Sequence, residues 1–491
     1  MQPSKLSDHI FKKGKFITPI NAMPMMEELP DEESWTYGRM PEYLWMGLVF
    51  KKYGRTVGLQ KLYEIISLLH RLAPNLQTAR ISQIIALDEQ VQSLFYDGIL
   101  LSISKETLAP LTVFLTVSYA PVFAEHFYCN NMSAEVRSHI LVETMNDIMG
   151  HQTHEATDIR FVALYFSLLS EKVHIMEEQI DLLAQYPKTS HESEIMKAIR
   201  PTVRAIEMVL LRHETVNTIY LQYFWGCISK MTDCNLYAFQ FMEEKRDISG
   251  YIGALHAVFD YLSELFKTAK PLDDKMKVIL GISTYSYKRF KEAYDHNLFN
   301  SISGRSCVRV LIEDYIMLRY LIKNEGSHEN IWRDFQLYGL GQYKLVLTRH
   351  RENPAAEECH FDQQLIESLV NEFKEEEFID MDTRYFDTQN IRAKAEAIGE
   401  KQLYGLYYDY DSAFEHGLWG AVRETALLKC TNPAHQYHCV PDVEDQNRLK
   451  SVLFDCISIM NKTVEFLDSI YGIPKELLGG VINFELQPVE K

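Results

Sequence analysis

Glycine and proline are sparse in this chain, 22 and 16 of 491 residues, which argues against a β-rich, collagenous or low-complexity protein. Basic residues are also in deficit: Lys and Arg total 50 against 68 Asp and Glu, a net charge of −18. That balance lacks the footprint of a duplex DNA binder and is repelled by anionic membranes, so RNA is expected to bind only through a local basic cleft. No apolar run reaches a membrane span. The most apolar stretch, "LAPLTVFLTVSYAPVFA" from Leu108 to Ala124, carries Pro110, Pro121, Thr112, Thr116 and Ser118 and reads as a buried helix, with no membrane partner. The N-terminus, "MQPSKLSDHIFKKGKF", has no apolar core followed by a small-residue cleavage site. The eight cysteines are mostly isolated in apolar or helical contexts, which suits reduced thiols in a cytosol better than a disulfide framework. Glycine-rich phosphate loops, nucleophile elbows, CxxC pairs and HExxH are absent, so nucleotide hydrolysis, the usual serine hydrolysis and zincin proteolysis receive no support.

What is present is helical periodicity. Apolar residues recur at helical spacing from Pro41, then over Gly58–Leu72, Leu87–Leu101, Ala134–Met149 and Asp158–Leu183, the last expected as one long helix. Further helices are expected over Ala205–Met231, Tyr251–Thr268, Met276–His296, Gly304–Ile322, Ile391–Tyr410, Ser412–Lys429 and Gln446–Tyr471. No strand alternation of useful length appears, and the fold class is all-α. A chain this long needs at least two packed units. "QYPKTSHESE", from Gln185 to Glu194, interrupts the apolar period, so we expect an N-terminal helical unit over 1–190 and a C-terminal helical bundle over 200–480. The acidic run "FKEEEFIDMD" after Glu352 reads as a solvated helix face.

Three groups of residues have the types that chemistry uses. On the Gly304–Ile322 helix, Arg305, Arg309 and Glu313 fall at steps of four and form one charged ridge, suited to ion pairing or to gripping a phosphate in a guanidinium fork. In "LYYDYDSAFEHGLWGAVRET", Tyr408, Ser412 and His416 are also spaced by four, with Arg423 beyond them. That stripe of hydroxyl, imidazole and guanidinium groups needs solvent, a ligand or a partner; a buried histidine bonded to a carboxylate is the plainer alternative. The third group is "LKCTNPAHQYHC", where Cys430, His435, His438 and Cys439 offer thiolate and imidazole ligands for a structural zinc. Adjacent His438 and Cys439 cannot easily turn both side chains onto one ion, so three ligands completed by a distant residue is the alternative. Asn432-Pro433 also fits a plain helix-ending loop. In the N-terminal unit, His139, Glu143, Asp147 and His151 step along one ridge, followed by His154, Glu155 and Asp158 and by Glu171, His174 and Glu178. Such carboxylates and E-x-x-H pairs hold metals in di-iron bundles, but Gly150 breaks the ridge and a solvated helix face is the favoured reading.

The stretches "GRSCVRVLIEDYIMLRYL", "SAFEHGLWGAVRE" and "KCTNPAHQYHCVPD", within about 285–474, resemble a large bacterial family of helical proteins classed as a domain of unknown function. The resemblance implies a helical bundle in which Arg309, Glu313, Ser412 and His416 approach one another. The arrangement is also similar to HEPN helical ribonucleases and toxins, whose Arg and His polarise phosphate and shuttle the proton of a 2′-hydroxyl, commonly at a site built across a homodimer. Their R-x₄₋₆-H pattern is met once, by Arg289 and His296, where chance alone supplies roughly two matches. We therefore expect a cytoplasmic bacterial RNA-cleaving effector of defence or toxin type, with Arg309 gripping phosphate, His416 as acid or base and Glu313 orienting one of them. The alternatives are a non-catalytic helical scaffold or protein-partner subunit and, third, a metal-dependent helical enzyme.

Overall fold

The computed structural model describes residues 9–17, 34–76, 78–170, 177–211, 216–238, 241, 246–268, 273–354, 360–371, 386–387, 389–444, 449–485 and 487–488. The architecture is all-α, with short 3₁₀ and π helices and small two- and three-stranded sheets beside the α-helices among these residues. The chain divides into two units: residues 1–237 with 429–440, and residues 238–428 with 441–491. A short segment of the chain therefore leaves the second unit, packs in the first and returns.

The first unit is organised around the helix Met40–Leu72, which starts at Pro41 because proline's fixed φ suits a first turn and its missing N–H is not needed there. Every residue from Met40 to Phe50 is buried, with Trp45 donating its indole N–H to Ala79 O at 3.1 Å. Gly54, at φ 70° and ψ 176°, breaks this helix, a backbone conformation essentially restricted to glycine. The helices Glu89–Ser102, Ala134–Ile148 and His154–Leu169 pack around it. Ser133 and Thr153 accept from the N–H of Val136 and Ala156, which fixes where the last two begin.

Two expected long helices are shorter. His154–Leu169 ends at Ser170, whose N–H returns to Phe166 O, and the next described helix is Glu177–Gln185. Over 205–231 there are two helices, Met196–Leu211 and Thr218–Ile228, the second capped by the Asn217 side chain on Tyr220 N–H. The polar stretch Gln185–Glu194 lies inside the first unit, where Tyr186 is fully buried.

In the second unit the helix Ile302–Asn324, capped by Ser301, is central. Asp274–Asp295, Leu453–Tyr471, Asp409–Glu415 and Ile391–Ala397 pack on it. Leu311, Ile312, Ile316, Leu318 and Leu321 fill the interior with Met460, Val464 and Leu467. The expected helix Ser412–Lys429 is interrupted at Gly417 (φ 57°), and Leu427–Cys430 is a strand. A helix unanticipated from the sequence, Ile331–Glu352, precedes the acidic run, which lies outside the described residues. Among the described residues no helix is long and apolar enough to cross a membrane.

Candidate metal centre

The segment Leu427–Pro441 is two short strands joined by a tight loop. Cys430 pairs with Leu236 across an antiparallel ladder and donates its N–H to His438 O at 2.9 Å. Asn432 does two jobs. Its carbonyl oxygen accepts from Ala434 N–H at 2.9 Å, starting the turn Pro433–His435, and its amide donates to Thr232 Oγ1 at 2.7 Å and to Asp233 O at 3.0 Å. Thr431 adds an N–H bond to Asn235 O at 2.8 Å. The loop is thus laced to residues 232–235, which follow the helix Thr218–Ile228. Gln436 and Tyr437 both sit at φ 53°, in the left-handed region that non-glycine residues seldom occupy. Two such residues in succession reverse the chain between His435 and His438, and both rings reach the Cys234 thiol.

This lacing brings Cys234 to Cys430, His435 and His438, and one ligand atom from each of the four lies within 4.8 Å of the others. Cys234 Sγ is 3.3 Å from His435 Nδ1 and 3.2 Å from His438 Nε2, and Cys430 Sγ is 3.5 Å from His435 Nδ1. Ligands around one tetrahedral zinc, with Zn–S near 2.3 Å and Zn–N near 2.1 Å, stand about 3.6 Å apart, so the group has the right compass for a shared cation. The far ring nitrogen of His435 bonds Thr232 O at 2.8 Å, which assigns its proton to Nε2 and turns the Nδ1 lone pair toward the thiols. Cys430 is fully buried and His435 nearly so, while Cys234 is exposed. Partial desolvation, then the neighbouring Cys430, push the Cys234 thiol above its ordinary range. A bound cation would displace the protons this raises.

Three of the four expected ligands meet. Cys439 does not; it is exposed and outside the group, because the strand it occupies turns successive side chains to opposite faces. Cys234 stands in its place, 201 residues before His435. No local spacing points to it.

In the second unit, Arg309, Glu313 and Ser412 do meet, with Tyr408 among them. Arg309 donates from Nε to Ser412 Oγ at 3.1 Å and from Nη2 to Tyr408 OH at 2.8 Å, and lies 3.4 Å from Glu313 Oε2. Tyr408 OH bonds Glu313 at 3.3 Å, and Ser412 donates to Tyr408 O at 2.6 Å. Burial, then Glu313, push the Tyr408 hydroxyl up to about 12, so it stays a proton donor. His416 and Arg423 stand apart from this network. The His416 N–H closes the helix Asp409–Glu415 on Ser412 O at 3.1 Å, while its ring is exposed and makes no hydrogen bond among the described residues. Arg423 caps its own helix by donating to Leu427 O at 2.9 Å. Glu415, beside His416, accepts from Ser306 Oγ.

The acidic ridge of the first unit does not gather into a metal site among the described residues. His139 and Glu143 form an exposed pair at 3.4 Å, and Lys51 bonds Asp147 at 2.8 Å. Asp158 is buried and accepts from Arg55 Nε, Tyr186 OH and His191 Nε2 at 2.9, 2.6 and 3.0 Å. His154 accepts from Arg200 at 2.7 Å and stacks on His191. Glu171 and His174 lie outside the described residues.

With this geometry in hand, comparison places the chain among known sequences. Residues 278–434 match a family of unknown function (DUF5677), which spans Arg309, Glu313, Ser412, His416, Arg423 and Cys430. Cys234, His435 and His438 fall outside that match. No curated protein and no solved structure matches the chain.

Proposed function

We propose that the protein is a helical scaffold carrying one structural zinc ion, held by Cys234, Cys430, His435 and His438. The observation that supports it is a complete set of four donors, from two distant segments, within 4.8 Å of one another. A catalytic zinc keeps a coordination position open for water or substrate, whereas four protein ligands close the shell. Zinc is the fitting metal because mixed thiolate and imidazole donors in tetrahedral number suit it and leave hard cations such as magnesium unfavoured. In this reading Arg309, Tyr408, Ser412 and Glu313 fix the register of two helices, since the polar groups of that network satisfy one another. The test is elemental analysis of purified, untagged protein. One equivalent of zinc is expected, lost on Cys234→Ser and retained on Cys439→Ser. Protein that binds no zinc when refolded with it would sink the proposal.

RNA cleavage is the second reading, favoured by the meeting of Arg309 with Ser412 and by the 19% exposure of the Arg309 side chain. It places the protein in a bacterial cytoplasm, in a defence or toxin setting, and requires the exposed His416 ring to act with Arg309 on bound RNA. A fluorescence-quenched single-stranded RNA assay tests it. Cleavage abolished by Arg309→Ala and by His416→Ala at unchanged melting temperature supports an enzyme; no cleavage by the parent chain leaves the scaffold.

A further inference from the structure

A second site is written in the first unit, away from the cysteines. Arg160, on the helix His154–Leu169, is 2% exposed and its guanidinium lies 4.6 Å from the centre of the Trp35 ring. It has five N–H donors, yet makes no hydrogen bond among the described residues. Its nearest carboxylate oxygen, Glu207 Oε2, is 3.7 Å from Nε, beyond hydrogen-bonding range. That oxygen is already bonded by Arg39 Nη1, and Arg39 stands over the same indole ring at 5.8 Å. The indole offers Arg160 its π face but no acceptor, because its nitrogen is a donor only and gives its N–H to Ile148 O at 2.8 Å.

A third guanidinium stands nearby. Arg204, also buried, spends its donors on Thr157 Oγ1 and Gln152 O. Arg39 and Arg160 thus approach the same Glu207 oxygen, and Arg204 adds to the positive field at Arg160. The other Glu207 oxygen, Oε1, is buried and has no partner, and neither has Gln152 Oε1. Burial lowers the Arg160 proton affinity to about 9, with Glu207 opposing and Arg39 and Arg204 adding to the shift. The exposed His151, just before this helix, is lowered too, by desolvation first and then by Arg160, Arg204 and Arg39, which places it at the rim of the same positive field.

A buried guanidinium without acceptors and a buried carboxylate oxygen without a donor are both costly, and native structures answer such groups with an ion or water. We infer that the first unit binds a protonated oxyanion of phosphate type, whose free oxygens accept from Arg160 and whose P–OH donates to Glu207 Oε1. Phosphate keeps a proton at neutral pH and meets both demands. Sulfate, fully deprotonated, meets only the first and leaves Glu207 facing another anion. Trp35 lies near both guanidiniums, 4.6 Å from Arg160 and 5.8 Å from Arg39, and His151 stands within their positive field. This site is independent of the zinc proposal and shares no residue with it.

Inorganic phosphate is the probe. Titrated into the full chain at constant ionic strength, with chloride as the balancing anion, it is expected to raise the melting temperature saturably and to bind in equilibrium dialysis. Sulfate is expected to bind at least about tenfold more weakly, the order of effect of one charged hydrogen bond. Arg160→Met keeps a chain of similar length against Trp35 and removes the donors; its phosphate affinity is expected to fall about tenfold or more. Glycerol phosphate in competition separates the two sources of the same group: equal competition points to a phosphorylated organic ligand, and none points to free phosphate. A parent chain with no saturable phosphate response overturns the inference, as does Arg160→Met binding phosphate with parental affinity. Sulfate binding as tightly as phosphate overturns the role given to Glu207. Should Arg160→Met fail to fold, the titrations of the parent chain still decide.

Discussion

Asp411 carries the prediction with the clearest magnitude. It precedes Ser412 on the helix Asp409–Glu415 and is 2% exposed. Its carboxyl is pushed up to about 7 by burial, with Arg305 opposing and Asp455 adding to the rise. Arg305 cannot fully hold it, because it also faces Asp455, bonds Lys450 O at 3.0 Å and stacks near Tyr410 and Phe414. A folded-state value near 7 against 3.8 in the unfolded chain means that between those pH values the folded state holds the proton and the unfolded state does not. Stability therefore falls as pH rises from 4 to 7, with a slope of at most about 1.4 kcal/mol per pH unit, and the full difference of about three units corresponds to roughly 4 kcal/mol. Asp411→Asn removes the titration while nearly keeping the shape. Urea unfolding followed by circular dichroism at pH 5.5, 6.5, 7.5 and 8.5 should show the variant gaining on the parent as pH rises to about 7.5, by on the order of 2 kcal/mol, then running level with it. Taking the difference between the two chains cancels the titrating groups that do not interact with Asp411. Parallel profiles over the whole range would refute the assignment of a neutral, buried Asp411.

Other consequences are measurable. Removing bound zinc with a chelator is expected to lower the melting temperature in the parent and in Cys439→Ser alike, by an amount equivalent to about 4 kcal/mol if the ion is held at 1,000 times its Kd; Cys234→Ser should not respond. Gly54→Ala forces a Cβ onto φ 70° and should cost about 1–3 kcal/mol by thermal denaturation, although an added Cβ meets no atom within 4 Å; a neutral result would show that the helix break relaxes. A double-mutant cycle of Arg309→Met with Tyr408→Phe should give a coupling of about 1 kcal/mol, and a value near zero would contradict the register role assigned to this network.

The positions of helices were largely legible along the chain, because a helix announces itself within a few turns. Pro41 marks a start through its fixed φ, Ser133, Thr153, Asp273 and Ser301 mark theirs through local hydrogen bonding, and the apolar period does the rest. Where reading failed, the deciding event was also local but weak. Ser170, Asn217 and Gly417 each close or open a helix inside a run whose apolar period continues across them. Ile331–Glu352 was missed because few of its residues are buried, so its pattern is faint.

The sites divide in the same way. Arg309, Glu313 and Ser412 were readable because spacings of four align side chains on helix faces that then pack together. Cys430, His435 and His438 were readable because one tight loop holds all three. Tertiary structure alone decided the fourth ligand, Cys234, since no sequence rule links positions separated by the length of a whole domain. It also decided that Cys439 turns away, that His416 stands in solvent, and that Arg160, an ordinary residue of an apolar helix, is sealed in without a hydrogen-bonding partner among the described residues. Local propensity acts over a few residues, whereas the burial of a charge and the closure of a ligand set depend on which distant segments pack against it.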